Sequence, residues 1–214
     1  MQFKRLTLLC GHYGSGKTNI AVNYALYLKR CGHEVAIADI DVVNPYFRTK
    51  DSEAELKAAG IDVIALPFAN SNVDLPALPP EVYSLVRNHS RMAVFDVGGD
   101  DRGAYALGRY VPDILAENNY DMFFVVNFCR PLTRTPEEAL EVMGEIEAAC
   151  HIPFTGIINN SNLGVETTAE LVDSTRAKAE ELSKLCGLPV VMTTAEESLG
   201  CRDVFPLKLQ AKIV

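Results

Sequence analysis

No apolar stretch in this chain approaches the roughly eighteen residues that a membrane-spanning helix needs, so none is expected. The N-terminus carries no signal-peptide pattern of apolar segment and small-residue cleavage site, which makes a cytoplasmic location the expectation. Positive charge is also short: 20 Lys and Arg face 28 Asp and Glu, for a formal net charge of −8. Without a basic patch the chain is poorly matched to a nucleic-acid backbone, and DNA is not an expected partner. Six cysteines (Cys10, Cys31, Cys129, Cys150, Cys186 and Cys201) include no C-x-x-C or C-x-C pair. They read as reduced, mostly buried thiols, and the adjacent Cys150 and His151 are too few for a metal centre. Internal repeats and low-complexity tracts are absent.

What is present is a core. Of 214 residues, 48% are hydrophobic and 22% charged, which suits a globular chain forming one domain over residues 1–214. Apolar strand-like runs lie at Lys4–Cys10, Glu34–Asp39, Asp62–Leu66, Met92–Val97, Met122–Asn127, Phe154–Asn159 and Pro189–Thr193. Amphipathic helical patterns separate them: Thr18–Arg30, Ser52–Ala59, Pro80–Asn88, Arg102–Glu117, Pro136–Ala149 and Thr167–Leu185. Continuous apolar strands alternating with such helices predict a three-layer α/β fold. Its mostly parallel sheet has about seven strands, with helices on both faces. Asn70–Pro80, with three prolines, reads as a surface loop. The C-terminal Phe205–Val214 alternates apolar and polar residues, which suits a short strand rather than an amphipathic membrane helix. Stable membrane anchoring is not expected.

The most informative stretch is Gly11-His12-Tyr13-Gly14-Ser15-Gly16-Lys17-Thr18. It follows an apolar run and opens an amphipathic one, the strand–loop–helix context of a P-loop. The glycines let successive backbone N–H groups turn toward phosphate oxygens at a helix N-terminus, whose dipole also favours negative charge. Lys17, expected as a surface-loop cation, can reach the β- and γ-phosphates, and the Thr18 hydroxyl can ligate Mg²⁺. The candidate phosphate-binding set is therefore Gly11 to Thr18 with Asn19 beside it.

In parallel sheets ligands sit at the carboxyl ends of the strands. Asp39 and Asp41 follow the second strand, Asp96 ends the fourth with Gly98 and Gly99 after it, and polar loops follow the fifth (Asn127–Pro131) and sixth (Asn159–Gly164). Asp96 has the position of a Walker B aspartate holding Mg²⁺ through coordinated water. Gly99 is placed to offer its N–H to a γ-phosphate. Asp39 and Asp41, two residues apart, share a strand face. Asp39 is better placed for the metal and Asp41 for orienting the attacking water.

Together the P-loop, the Asp-x-Asp loop followed by Asn44-Pro45 and Arg48, and the Asp96-x-Gly98-Gly99 loop resemble the MinD/ParA family. That family belongs to the class of P-loop nucleoside triphosphatases that also holds the signal-recognition-particle GTPases and dethiobiotin synthetase. The resemblance implies ATP-dependent homodimerisation, slow Mg²⁺-dependent ATP hydrolysis, and a switch or maturation role toward a client protein. It assigns Lys17 and Thr18 to phosphate and Mg²⁺, Asp41 to the water and Asp96 to the metal. One departure stands out: where the family has a second, signature lysine, this chain has His12, followed by Tyr13. A neutral imidazole does not replace a permanent cation, and Arg48 and Arg102 are the candidate substitutes.

Base choice turns on Asn159-Asn160-Ser161-Asn162, at the place of the guanine-reading Asn-Lys-x-Asp. Asn162 lacks the carboxylate that guanine requires, whereas the Asn159 amide can both donate to and accept from adenine. ATP is therefore expected over GTP, with Thr193–Ala195 closing over the base. Two other readings are a GTPase metallochaperone, which would carry His- or Cys-rich motifs, and a ligase or kinase resembling dethiobiotin synthetase. In the latter, His12, Tyr13 and Asp100–Arg102 would contact substrate.

Overall fold

The computed structural model describes residues 3–41, 52–65, 80–98 and 107–209. Eight strands form one sheet: β1 (Leu6–Cys10), β2 (Val35–Ile40), β3 (Asp62–Ala65), β4 (Met92–Val97), β5 (Tyr120–Val126), β6 (Gly156–Asn159), β7 (Val190–Glu196) and β8 (Phe205–Leu207). Their order is β3-β2-β4-β1-β5-β6-β7-β8, with every pairing parallel. The expected parallel sheet is there, one strand larger, because Phe205–Leu207 of the alternating C-terminal segment pairs with β7.

Between the strands run α1 (Lys17–Arg30), α2 (Glu53–Ala58), α3 (Pro80–Arg87), α4 (Val111–Glu117), α5 (Pro136–Cys150) and α6 (Ala169–Cys186). Strand side chains alternate between two cores. Leu8, Ala38, Phe95 and Phe124 face α3 to α6, while Leu9, Ile37, Val94 and Phe123 face α1 and α2. In α1 the apolar residues Ile20, Ala21, Tyr24, Ala25 and Leu28 recur at helical spacing and are buried against the second core. A strand buried on both faces has no polar alternation to show, which is why β1, β2 and β4 read as continuous apolar runs.

Helix ends follow their local chemistry. Thr135 caps α5 in a reciprocal box with Glu138, and Pro136 occupies its first turn. Thr168 caps α6, and Gly187 closes it in the left-handed conformation. Of the helix expected over Arg102–Glu117, residues 102–106 lie outside the described residues; 107 and 108 are helical, and a turn in which Tyr110 N donates to Leu107 O, 2.8 Å, leads into α4. Pro112, with no N–H to donate, fits the first turn of α4 but not the interior of a longer helix. Thr193–Ala195, expected as a loop over the base, lies inside β7. Of the six thiols only Cys10 and Cys150 are buried, and Cys31 is exposed at the end of α1, so burial is less general than their composition suggests.

Candidate functional site

The order of strands puts β1 at the centre, between β4 and β5, where successive connections leave in opposite directions. Such a switch point opens a crevice at the carboxyl edge. The loop Gly11–Gly16 fills this place and is held there by close backbone approach. A Cβ on Gly11 would lie 2.2 Å from Val125 O of β5, and one on Gly16 would lie 2.3 Å from Asn160 Nδ2. Gly14 and Gly16 have φ of 76° and 88°, the left-handed region where a side chain is strained.

Helix α1 then begins without the caps that α5 and α6 have. Its first turn contains no acidic residue, and its N-cap, Gly16, has no side chain with which to cap it. The positive end of a 14-residue helix therefore faces the loop. Lys17 adds a full charge. Contrary to the surface position expected for it, the side chain is only 6% exposed, and Nζ donates to Gly11 O (2.9 Å) and His12 O (3.3 Å). The lysine thus shapes the loop while holding its ammonium inside the cradle.

Acids converge from two strands. Asp39 and Asp96 are register partners on β2 and β4, and both are buried on the α1 side of the sheet. Thr18 Oγ1 donates to Asp96 Oδ2 at 2.5 Å, and Asp41 N donates to Asp39 Oδ1 at 3.1 Å. Burial raises the Asp96 pKa to about 8, reinforced by the neighbouring Asp39 carboxylate and opposed by Lys17 and the Thr18 hydroxyl. Nucleotide-free protein thus keeps a proton on this acid pair at neutral pH.

Five buried side-chain polar atoms lack a hydrogen bond among the described residues, and three are here: Ser15 Oγ, Asn19 Oδ1 and Asp96 Oδ1. Each such orphan costs about 1–3 kcal/mol unless something satisfies it. Their concentration beneath a glycine cradle with an uncapped helix marks a site built for a ligand. An oxygen-seeking cation fits the free Asp96 Oδ1 and the Thr18 hydroxyl, both hard donors. Asp39 is a third oxygen donor on the adjoining strand.

Asn160 joins the loop after β6 to the cradle. Its Nδ2 donates to Ser15 O at 2.6 Å, and its Oδ1 accepts from Thr194 Oγ1 at 2.6 Å. Asn159 points elsewhere: fully buried, it donates to Thr175 Oγ1 of α6 and accepts from Ser161 N and Oγ. Asn162 closes on its own loop, donating to Asn160 O and accepting from Gly164 N. His12 turns its ring to the Tyr13 carbonyl, 3.1 Å away, and Tyr13 is exposed. Gly99, Arg48, Arg102 and the Asn44–Pro45 pair lie outside the described residues.

Two contributors lie in the loop that sequence placed after the fifth strand, where neither was given a role. Asn127, at the end of β5, accepts from Cys129 N and Asn162 N and donates to Asn162 O, tying the loops after β5 and β6 together. Arg130 lies against Gly14, with Nε 3.6 Å from where a Cβ would be. The rule that loops at the carboxyl edge border the ligand found their loop, but not which of its side chains reach the cradle.

Comparison with known proteins agrees with this geometry. Residues 9–170 match the family model described as the CobQ/CobB/MinD/ParA nucleotide binding domain. No curated protein matches the chain in sequence. Among solved structures, the cell division protein FtsY of Thermotoga maritima superposes with a TM-score of 0.64 at 16% identity, covering 96% of this chain and 65% of that one. The receptor FtsY of Elizabethkingia anophelis in complex with GDP gives 0.61 at 14% identity, over 98% and 61%. The signal recognition particle 54 kDa protein of Aeropyrum pernix K1, also with GDP, gives 0.60 at 17%, over 93% and 43%. The chain spans less than two thirds of the length of each of these proteins, and at such identities the likeness is one of fold.

Proposed function

The chain belongs to the CobQ/CobB/MinD/ParA nucleotide-binding family, and we propose that it is a slow, Mg²⁺-dependent ATPase acting as a nucleotide switch toward a client protein. The observation that carries this reading is the cluster of orphaned polar atoms under the P-loop, Ser15 Oγ, Asn19 Oδ1 and Asp96 Oδ1. A Mg²⁺–triphosphate would satisfy them together with the uncapped first turn of α1.

In this reading the backbone of Gly14 to Thr18 and the Lys17 ammonium hold the phosphates. Thr18 and Asp96, with Asp39 beside them, hold Mg²⁺, which would neutralise charge on the phosphate oxygens. Asp41, half-buried at the end of β2, is positioned by its own N–H on Asp39 Oδ1. Its carboxylate orients a water toward the γ-phosphorus. Attack forms the new P–O bond as the bond to the leaving diphosphate oxygen breaks, releasing inorganic phosphate and ADP. The ATP-bound form pairs face to face with a second copy, and the single domain cycles without DNA or a membrane anchor.

ATP rather than GTP follows from Asn162, whose amide is engaged within its own loop and carries no carboxylate for guanine. Titration calorimetry with Mg²⁺ tests both parts. ATP should bind at least about tenfold more tightly than GTP, a difference of about 1.4 kcal/mol, and Lys17→Ala should abolish high-affinity binding of either. A tenfold preference for GTP moves the assignment to the GTPase reading. Unchanged affinity in Lys17→Ala removes the phosphate-site assignment altogether.

A further inference from the structure

A triphosphate brings several negative charges to one loop, yet Lys17 is the one cation the P-loop itself supplies. His12 stands where the resemblance would place a second. Among the described residues, the structure offers another cation from an unexpected side. The turn after β5 is fixed from within: Asn127 O accepts from Arg130 N (3.1 Å) and Thr133 Oγ1 (2.8 Å), and Asn127 Oδ1 accepts from Cys129 N (2.9 Å). Ser161 Oγ, from the loop after β6, takes Phe128 N at 3.0 Å. Asn127 and Ser161 are both buried, so this turn is a rigid shelf rather than a loose connection.

The shelf carries Arg130 to the rim of the cradle. A Cβ on Gly14 would meet Arg130 Nε at 3.6 Å and its Cδ and Cζ at 3.9 Å. The guanidinium makes no hydrogen bond or ion pair among the described residues, whereas Arg5, Arg87, Arg91 and Arg176 are each paired with an acid. An exposed arginine is ordinarily a solvated one. Arg130 is exposed too, but its side chain lies against Gly14 of the cradle, and a hydrogen-bonded turn holds its backbone there. Resting on the phosphate-site reading above, we propose that Arg130 is a phosphate-binding residue of the same subunit. It supplies the second fixed cation that His12 does not. A guanidinium suits that role because its planar fork makes paired bonds to phosphate oxygens and stays charged at any working pH.

The test is ATP affinity by calorimetry with Mg²⁺, compared across the unaltered protein, Lys17→Ala, Arg130→Ala, Arg130→Gln and Arg130→Lys. Each is also melted without nucleotide. Arg130→Ala and Arg130→Gln should each lose at least about tenfold in affinity, and Arg130→Lys should lose distinctly less, because it keeps the charge but not the fork. All three Arg130 variants should melt with the unaltered protein. If Arg130→Gln binds as well as Arg130→Lys, the side chain serves only to pack against Gly14 and the proposal falls. It also falls if all three bind like the unaltered protein while Lys17→Ala does not, and the phosphate-site reading then stands. Should ATP affinity be indifferent to Lys17→Ala, that reading fails and takes this one with it.

Discussion

Replacing Asp96 by asparagine should make the nucleotide-free protein more stable at neutral and alkaline pH, while destroying what the site is for. Asp96 is 1% exposed, faces Asp39 across one register step, and has its pKa raised to about 8. In the unfolded chain the same carboxyl titrates near its ordinary value of 3.8. Between these values the folded state holds a proton that the unfolded state has lost. Its stabilising contribution is therefore complete below the unfolded value and drains away as pH rises through the folded one. The slope is about 1.4 kcal/mol per pH unit for one proton. From pH 6 to pH 8 that amounts to about 2 kcal/mol, since the folded acid is half ionised at the upper end. In Asp96→Asn this dependence is absent. The amide oxygen can still accept from Thr18 Oγ1, and the amide N–H₂ replaces an orphaned oxygen with a donor beside Asp39. Urea unfolding of both proteins at pH 6, 7 and 8, without nucleotide or divalent cation, checks it. The two stabilities should diverge with rising pH by about 2 kcal/mol. Parallel curves would refute the buried-proton argument. In the same variant Mg²⁺ should no longer strengthen ATP binding, a loss of function accompanying a gain of stability.

Asp41→Ala should bind ATP as well as the unaltered protein or better, yet hydrolyse it about a hundredfold or more slowly, and should accumulate as an ATP-dependent dimer by light scattering. Turnover at the unaltered rate removes Asp41 from the chemistry, and a stalled monomer removes the dimer switch. Gly16→Ala meets two penalties, a left-handed φ of 88° and a Cβ 2.3 Å from Asn160 Nδ2, an atom held by Ser15 O. It should lose about 2 kcal/mol or more in urea unfolding. Adding Asn160→Ala should cost less in that background than alone, because the contact is already broken.

The sequence by itself determined the sheet, the cradle and the acid residues. Apolar runs and helical spacing are local records of burial on two faces. Gly11, Gly14, Gly16, Lys17 and Thr18 are consecutive enough for their geometry to be written in one loop. Boundaries moved by a residue or two where backbone pairing outran the apolar pattern. Tyr120 and Asp121, for instance, belong to β5 although they are only half-buried. What tertiary structure alone decided is how distant residues divide their bonds. Asn159 and Asn160 are neighbours with identical chemistry, and alternation along β6 sends one to Thr175 of α6 and the other to Ser15 of the P-loop. The coupling of Asp39 to Asp96 arises from β2 and β4 lying side by side, which a chain order of second and fourth strand does not announce. Arg130, in a turn more than a hundred residues from Gly14, meets it only because β5 pairs with β1. Side-chain partners across strands are set by sheet order and register, and those depend on burial summed over the whole chain rather than on any local run of residues.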